Sequence, residues 1–406
     1  MVQGAVAPGF EAVRDEFARN FQLRDELGAA CAVYHRGEKV VDLWGGRRDR
    51  GGRLPWNADT VVMVFSTSKG LSAMAIALLH SRGLLDYDEL VASYWPEFAQ
   101  NGKEAVTVRQ LLSHQAGLCA IDDPLTPAVV GDLDRLAEVA ARQRPAWPPG
   151  VRHGYHAMSI GWYEQELVRR IDPQHRSLGR FFAEEIAEPL ELDFWIGLPD
   201  DFPLERLARM REYRGLQFVR HLGELPREMA LAFVRRNSLT ARTFGNPRVR
   251  SAAGIDRPHW WHLEFPSAGG IGDARSIARA YSEFATGGAA LGVARATLDE
   301  LERPATAPSG GVRDTVLKVP TAYSCGFLKP SQDFPFASSD RAYGHPGAGG
   351  SFGFADPDRE LAFAYVMNRM GMRLNDDPRE RALREASYRC VNALSPHPAT
   401  RSPATR

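Results

Sequence analysis

Val64-Phe65-Ser66-Thr67-Ser68-Lys69-Gly70 places a serine three residues before a lysine, at the head of the apolar run Leu71 to Leu79. On a helix that spacing sets both side chains one turn apart on one face, with unpaired backbone N–H groups and the positive dipole end beside Ser66. A serine hydroxyl attacks only once a base takes its proton, and a neutral lysine one turn away can do so. The amine must then fall from about 10.4 to roughly 7–8, a demand suited by the apolar helix that carries Leu71, Met74, Ala75 and Leu78. Lysine is scarce in this chain: Lys39, Lys103, Lys318 and Lys329 are the other four, and none follows a serine by three. The plainer reading is a helix start capped by Ser66, Thr67 or Ser68, with an incidental lysine.

Three further stretches carry candidate chemistry. Tyr155, in His153-Gly154-Tyr155-His156-Ala157, follows the loop Trp147-Pro148-Pro149-Gly150. Beside Lys69 its hydroxyl could relay a proton to a leaving group; taken alone it reads as a packed loop aromatic. His345-Pro346-Gly347-Ala348-Gly349-Gly350-Ser351 stands at the end of a strand pattern. Its glycines allow backbone to approach a ligand, and an amide of Gly347, Ala348 or Gly349 could pair with that of Ser66 as an oxyanion hole; the same residues also suit a tight turn between strands. Gly349-Gly350-Ser351-Phe352-Gly353 matches G-x-S-x-G, but that elbow needs a following helix and a later acid and histidine. Strand-like Phe352 to Ala355 and the Asp356-Pro357 break supply no helix, and the only later histidine is His397, so the match is read as coincidence. His114 has no metal partner at helical spacing and reads as structural.

The elements that must position these groups follow from periodicity. Gly9 to Gln22, with Phe10, Val13, Phe17 and Phe21 apolar, predicts a helix. Ala29 to Tyr34 and Val40 to Trp44 predict strands joined by His35-Arg36-Gly37-Glu38. A helix from Ser66 to about Arg82 and a short capped helix over Val106 to His114 come next. From about Asp132 to Arg250 the pattern is mainly helical, clearest at Leu133–Arg142, Ser159–Ile171, Leu178–Ile186 and Arg227–Arg235. Phe218, Trp260 and Trp261 in this part are expected to line the pocket. Pro266 to Gly272 reads as a glycine-rich turn before a helix over Asp273 to Ala285, without a phosphate-binding register. Strand patterns return at Tyr323–Leu328, Tyr343–His345, Ser351–Ala355 and Leu361–Met367, and a last helix spans Pro378 to Leu394. Strands at both ends around a helical middle predict one sheet completed by both termini. The expected division is an α/β domain of residues 1–66 and 268–394, a mainly helical subdomain of 67–267, and a flexible tail of 395–406.

Composition bounds the function. The 406 residues carry 50 basic and 50 acidic side chains, so nucleic acid is not an expected partner. No apolar run reaches the roughly 18 residues of a membrane span, and Met1 to Phe10 lacks the pattern of a signal peptide. The expected location is the cytoplasm, with Cys31, Cys119, Cys325 and Cys390 as reduced, mostly buried thiols.

Together and in this order, the Ser66, Tyr155 and His345 stretches resemble the serine β-lactamase and penicillin-binding-protein superfamily, and most closely its family VIII carboxylesterases. Leu111-Leu112-Ser113-His114-Gln115-Ala116-Gly117-Leu118 is similar to the superfamily's Leu-Leu-x-His-x-Ser-Gly-Leu, with Ala116 in place of its serine. Class C β-lactamases have asparagine two residues after the motif tyrosine, where Ala157 stands here. Their Lys-Thr-Gly is replaced by His345-Pro346-Gly347, the esterase form. Losing that lysine removes a fixed cation for a substrate carboxylate, and a mostly neutral histidine favours uncharged esters.

The resemblance implies a β-lactamase/transpeptidase-like α/β (α+β) fold with an antiparallel sheet flanked by helices. It implies an acyl-enzyme on Ser66, with Lys69 and Tyr155 as general base and acid. The amides of Ser66 and Ala348 would hold the oxyanion, His345 and Gly347 would line the substrate, and no metal or organic cofactor is called for. The expected partner is a small-molecule ester of small or medium acyl chain. The alternatives are a β-lactamase or D-Ala-D-Ala peptidase of the same fold, an acyltransferase to a specific alcohol, and a catalytically silent binding protein. Oligomeric state, a homo-oligomer included, stays open.

Overall fold

A computed structural model describes residues 2–213, 221–249 and 251–394. Strand β1 spans Val2–Val6, β2 Gly28–His35, β3 Glu38–Gly46, β4 Val62–Met63, β5 Phe194–Ile196, β6 Gly270–Gly272, β7 Tyr343–Pro346, β8 Phe352–Asp356 and β9 Leu361–Met367. The principal sheet is antiparallel, in the order β1-β3-β2-β9-β8-β7. Its centre is where the two ends of the chain meet: β2 pairs with β9, from Ala29 opposite Met367 to His35 opposite Leu361. Every residue of β9 is buried, as a strand covered on both faces requires. Hairpin β2–β3 turns through Arg36 and Gly37, both at positive φ, the conformation that two-residue hairpins demand.

Helices cover both faces. On one, α1 (Glu11–Leu23) and the last helix (Pro378–Leu394) lie together, and Phe10, Val13 and Phe17 share a core with Leu383, Ala386 and Val391. On the other, the Ala274–Ala285 helix crosses β2, β8 and β9. A side-chain carbon at Gly353 would fall 2.6 Å from Ile277 Cγ2, so glycine on β8 lets that helix lie close.

The residues between hold α2 (Ser68–Ser81), with the Ile160–Ile171 helix beside it and the Leu133–Arg142 helix packed on that one. Thr107 forms a capping box with Gln110, and Asp132, Ser177, Ser238 and Asp273 cap their helices by side-chain acceptance. All four cysteines are buried and unpaired. No helix among the described residues is long and apolar enough to cross a membrane.

Several local expectations change. Val2–Val6, read only for a signal peptide, is an edge strand; five alternating residues beside glycine and proline are too few for a periodicity signal. Gly270–Gly272 is a strand rather than a turn, the middle one of the small sheet β4-β6-β5, and side-chain carbons at Gly270 and Gly272 would run into the Phe194 ring. Tyr323 and Leu328 bridge across a tight loop instead of forming a strand, and Leu328 bridges on to Gly344. Trp260 and Trp261 are buried in the main core, the second held by Asp256 and Arg209. Phe218 and the 395–406 tail lie outside the described residues.

Candidate active site

Ser66 sits in the single helical turn Phe65–Thr67 that leads into α2. Phe65 before it has φ +50°, a strained conformation for a bulky side chain that costs on the order of 1–3 kcal/mol. Neighbouring hydrogen bonds hold it there. Val64 N–H donates to Gly270 O (2.9 Å), and Gly270 N–H donates to Ser68 Oγ (2.9 Å). Ser72, one turn further, donates to Pro266 O (2.9 Å). The serines on either side of Lys69 thereby clip residues 266–270 along α2.

That clip supplies a partner for Lys69. Its Nζ lies 2.7 Å from Ala157 O, 2.8 Å from Ser267 O and 3.1 Å from Ser66 Oγ. A free amine has two N–H donors and one lone pair. The two carbonyls take the donors, which leaves the lone pair for the Ser66 hydroxyl. Burial pulls the amine down to about 7, against the charge of Glu164, which raises it. Lys69 can therefore be a base near neutral pH.

Tyr155 reaches the same point from its loop. Its backbone N–H donates to Asp314 Oδ2 (2.8 Å), and Asp314 Oδ1 also accepts from Val316 and Leu317. Gly154 N–H donates to His114 O (3.1 Å). Burial pushes the Tyr155 phenol up, and the neighbouring Ser66 opposes the rise. Lys69 Nζ stands 4.8 Å from the ring centroid. His114 is structural, as expected: its Nδ1 accepts from His156 N–H (3.2 Å) and its ring meets Tyr155 edge-on.

His345 stacks on Tyr155 at 5.7 Å between centroids. Burial and the charge of Lys69 hold it down at about 3, so the ring is neutral. Nδ1–H donates to Pro346 O (2.7 Å), and Nε2 is buried without a partner among the described residues. Beyond it, Gly347 N–H donates to Ser351 O (2.7 Å) and Gly350 N–H to Gly347 O (3.1 Å), closing a turn with Ala348 exposed at its tip. A side-chain carbon at Gly347 would run into Val64 O and Ser351 Oγ; glycine is what lets this turn lie against Ser66. The N–H groups of Ser66 and Ala348 have no partner among the turn and loop hydrogen bonds of the described residues.

Ser351 is fully buried, donates to Val64 O (2.8 Å) and lies 3.1 Å from Thr67 Oγ1. Strand β8 follows it directly. It ties the glycine turn to the Ser66 turn and presents no free nucleophile.

Residues 17–387 match the family described as Beta-lactamase. The chain belongs to this family. Within the beta-lactamase family it is 37% identical to the esterase/beta-lactamase LipL of Mycobacterium tuberculosis over 91% of this chain and 83% of that protein. Its fold is similar to the crystal structure of a family VIII carboxylesterase, with a TM-score of 0.84 and 37% identity over 96% of this chain and all of the other. A penicillin-binding-protein homologue from Caulobacter crescentus follows with 0.81 and 36%, over 96% of this chain and all of that one.

The sequence reading overlooked three parts of this beta-lactamase-family site. Ala157 and Ser267 act through main-chain carbonyls, which leave no mark in residue type. Asp314 is one acid among many until its three N–H donors are seen. Glu164 did leave a signal: it falls four residues after Ile160 and four before Val168, on an apolar helical stripe.

Proposed function

We propose that this chain is a serine esterase that cleaves carboxylic esters of small or medium acyl chain through an acyl-enzyme on Ser66. The observation that carries this is the buried Lys69 amine, its donors taken by two carbonyls and its lone pair facing Ser66 Oγ at 3.1 Å. Lys69 takes the hydroxyl proton as Ser66 attacks the ester carbonyl. The N–H groups of Ser66 and Ala348 receive the oxyanion. Tyr155 stays protonated at neutral pH and serves as a relay: it gives its proton to the leaving alcohol and is refilled from Lys69. A water then repeats the sequence to release the acid.

The neutral His345 supports uncharged esters over β-lactams or peptides that present a carboxylate. Its unpartnered Nε2 can accept a hydrogen bond from a substrate N–H or O–H. The names of the relatives, an esterase/beta-lactamase and a family VIII carboxylesterase, point the same way.

The test is hydrolysis of p-nitrophenyl acetate, butyrate and octanoate, with nitrocefin alongside, by wild type and Ser66→Ala. Ester cleavage far above nitrocefin, abolished in Ser66→Ala, is expected. Nitrocefin cleaved faster than every ester overturns the ester reading in favour of a β-lactamase, and wild type inert toward all four overturns hydrolysis.

A further inference from the structure

Glu164 lies within the Ile160–Ile171 helix, wholly buried, and neither carboxylate oxygen has a hydrogen-bond partner among the described residues. A buried, unpaired carboxyl is costly, and its place on the apolar stripe could hold a leucine. Its neighbourhood supplies a reason. The point where a side-chain carbon on Gly326 would sit is 3.6 Å from Glu164 Oε1 and 2.6 Å from Ala73 Cβ. Ala73 is one turn beyond Lys69 on the same face of α2. The carboxyl therefore stands alongside α2 one turn from Lys69, on the helix whose leading loop supplies the Ala157 carbonyl.

The other titratable groups facing Lys69 are Tyr155, His114, His156 and His345. Burial and positive charge hold the three imidazoles neutral, and burial holds the phenol protonated. None of them brings negative charge. Glu164 is pushed up to about 8 by burial and drawn back by Lys69, so it ionises through and just above the pH range in which Lys69, at about 7, becomes a base.

We infer that Glu164 is a positioning residue for the Ser66 reaction, a buried counter-charge that sets the basicity of Lys69. With Lys69 as free amine and Glu164 as carboxylate, the Ser66 O–H bond breaks, an N–H bond forms on Lys69, and Ser66 Oγ bonds to the ester carbon. The result is an ion pair across the buried space instead of a lone buried ammonium. The proton then leaves through Tyr155 to the alcohol. This inference rests on the esterase reading above.

The experiment reads Lys69 directly. With five lysines in the chain, 13C-labelled lysine side chains give few signals, and Lys69→Met assigns the one of interest. In Glu164→Gln the Lys69 titration midpoint is expected to fall by about one unit or more, the scale of a neighbouring opposite charge, with Lys103 and Lys329 unmoved. Glu164→Asp, which restores the charge, should return it toward wild type. In the same Gln variant the acidic limb of kcat/KM should move to lower pH while kcat falls about tenfold and KM stays put, a split that lost packing alone would not produce. Glu164→Gln removes a desolvated acid and is expected to fold. An unmoved Lys69 midpoint in Glu164→Gln overturns the role of Glu164 and leaves the esterase reading standing. A wild type inert toward esters overturns that reading, and the titration still tests the pairing.

Discussion

Lys69 Nζ lies 2.7 Å from the Ala157 carbonyl oxygen, nearer than to the Ser66 hydroxyl at 3.1 Å. The base is aimed by main chain from another part of the fold, not by the nucleophile it serves. Three expectations come from this arrangement.

The first concerns pH. With Lys69 at about 7, kcat/KM for a neutral ester should rise through pH 7 and level off above it. The stability linkage has the matching sign. The unfolded lysine stays protonated up to about 10.4, so between about pH 7 and 10 the unfolded state binds more protons and stability rises with pH. Below pH 7 the folded state carries a buried ammonium and that gain is absent. Lys69→Met should abolish turnover and, at pH 6, raise stability by up to roughly 5 kcal/mol, the fall to about 7 taken at about 1.4 kcal/mol per pK unit. Urea unfolding of both proteins at pH 6 and 9 checks this, and the difference between them should shrink at the higher pH.

Ser351 is expected to matter for stability and little for chemistry. Ser351→Ala removes one of two donors to Val64 O, which keeps the Thr67 N–H, a loss of about 0.5–1.5 kcal/mol. Thermal unfolding should shift down while ester turnover stays within severalfold of wild type. Activity lost in Ser351→Ala with the fold intact would return the G-x-S-x-G serine to consideration as the nucleophile.

Gly347→Ala should show the opposite balance. The new methyl group meets Val64 O and Ser351 Oγ, neither of which is the end of a flexible side chain free to swing away. The turn must retreat from Ser66, carrying the Ala348 N–H with it. Loss of one oxyanion donor costs about 10²–10³ in kcat, so kcat should fall by that order with KM changed far less. Steady-state kinetics separates the two parameters.

The chemistry was legible where it rests on local spacing. Ser66 and Lys69 are one helical turn apart whatever surrounds them, and the apolar run behind Lys69 announced its burial. The apolar runs of β2 and β9, one near each end of the chain, announced a sheet shared by both ends. The one-sided polarity of Leu133–Arg142 likewise marked a helix packed by one face. Each of these is a contact between near neighbours in sequence, or a periodicity that burial imposes on one element.

Tertiary structure alone decided the rest, because the deciding contacts join distant residues or use groups that every residue has. The carbonyls of Ala157 and Ser267 make Lys69 a directed base, yet alanine and serine there signal nothing. Ser351 carries a nucleophile's motif and becomes a strut only once its hydroxyl is seen on Val64 O. Gly270 reads as a turn residue until the Phe194 ring and Ser68 leave it room for nothing else. Glu164 was visible as a misfit on an apolar stripe, but only the packing of its helix against α2 makes it a neighbour of Lys69. Residue type and spacing determined which groups could react; the folded backbone determined which way they point and what holds them.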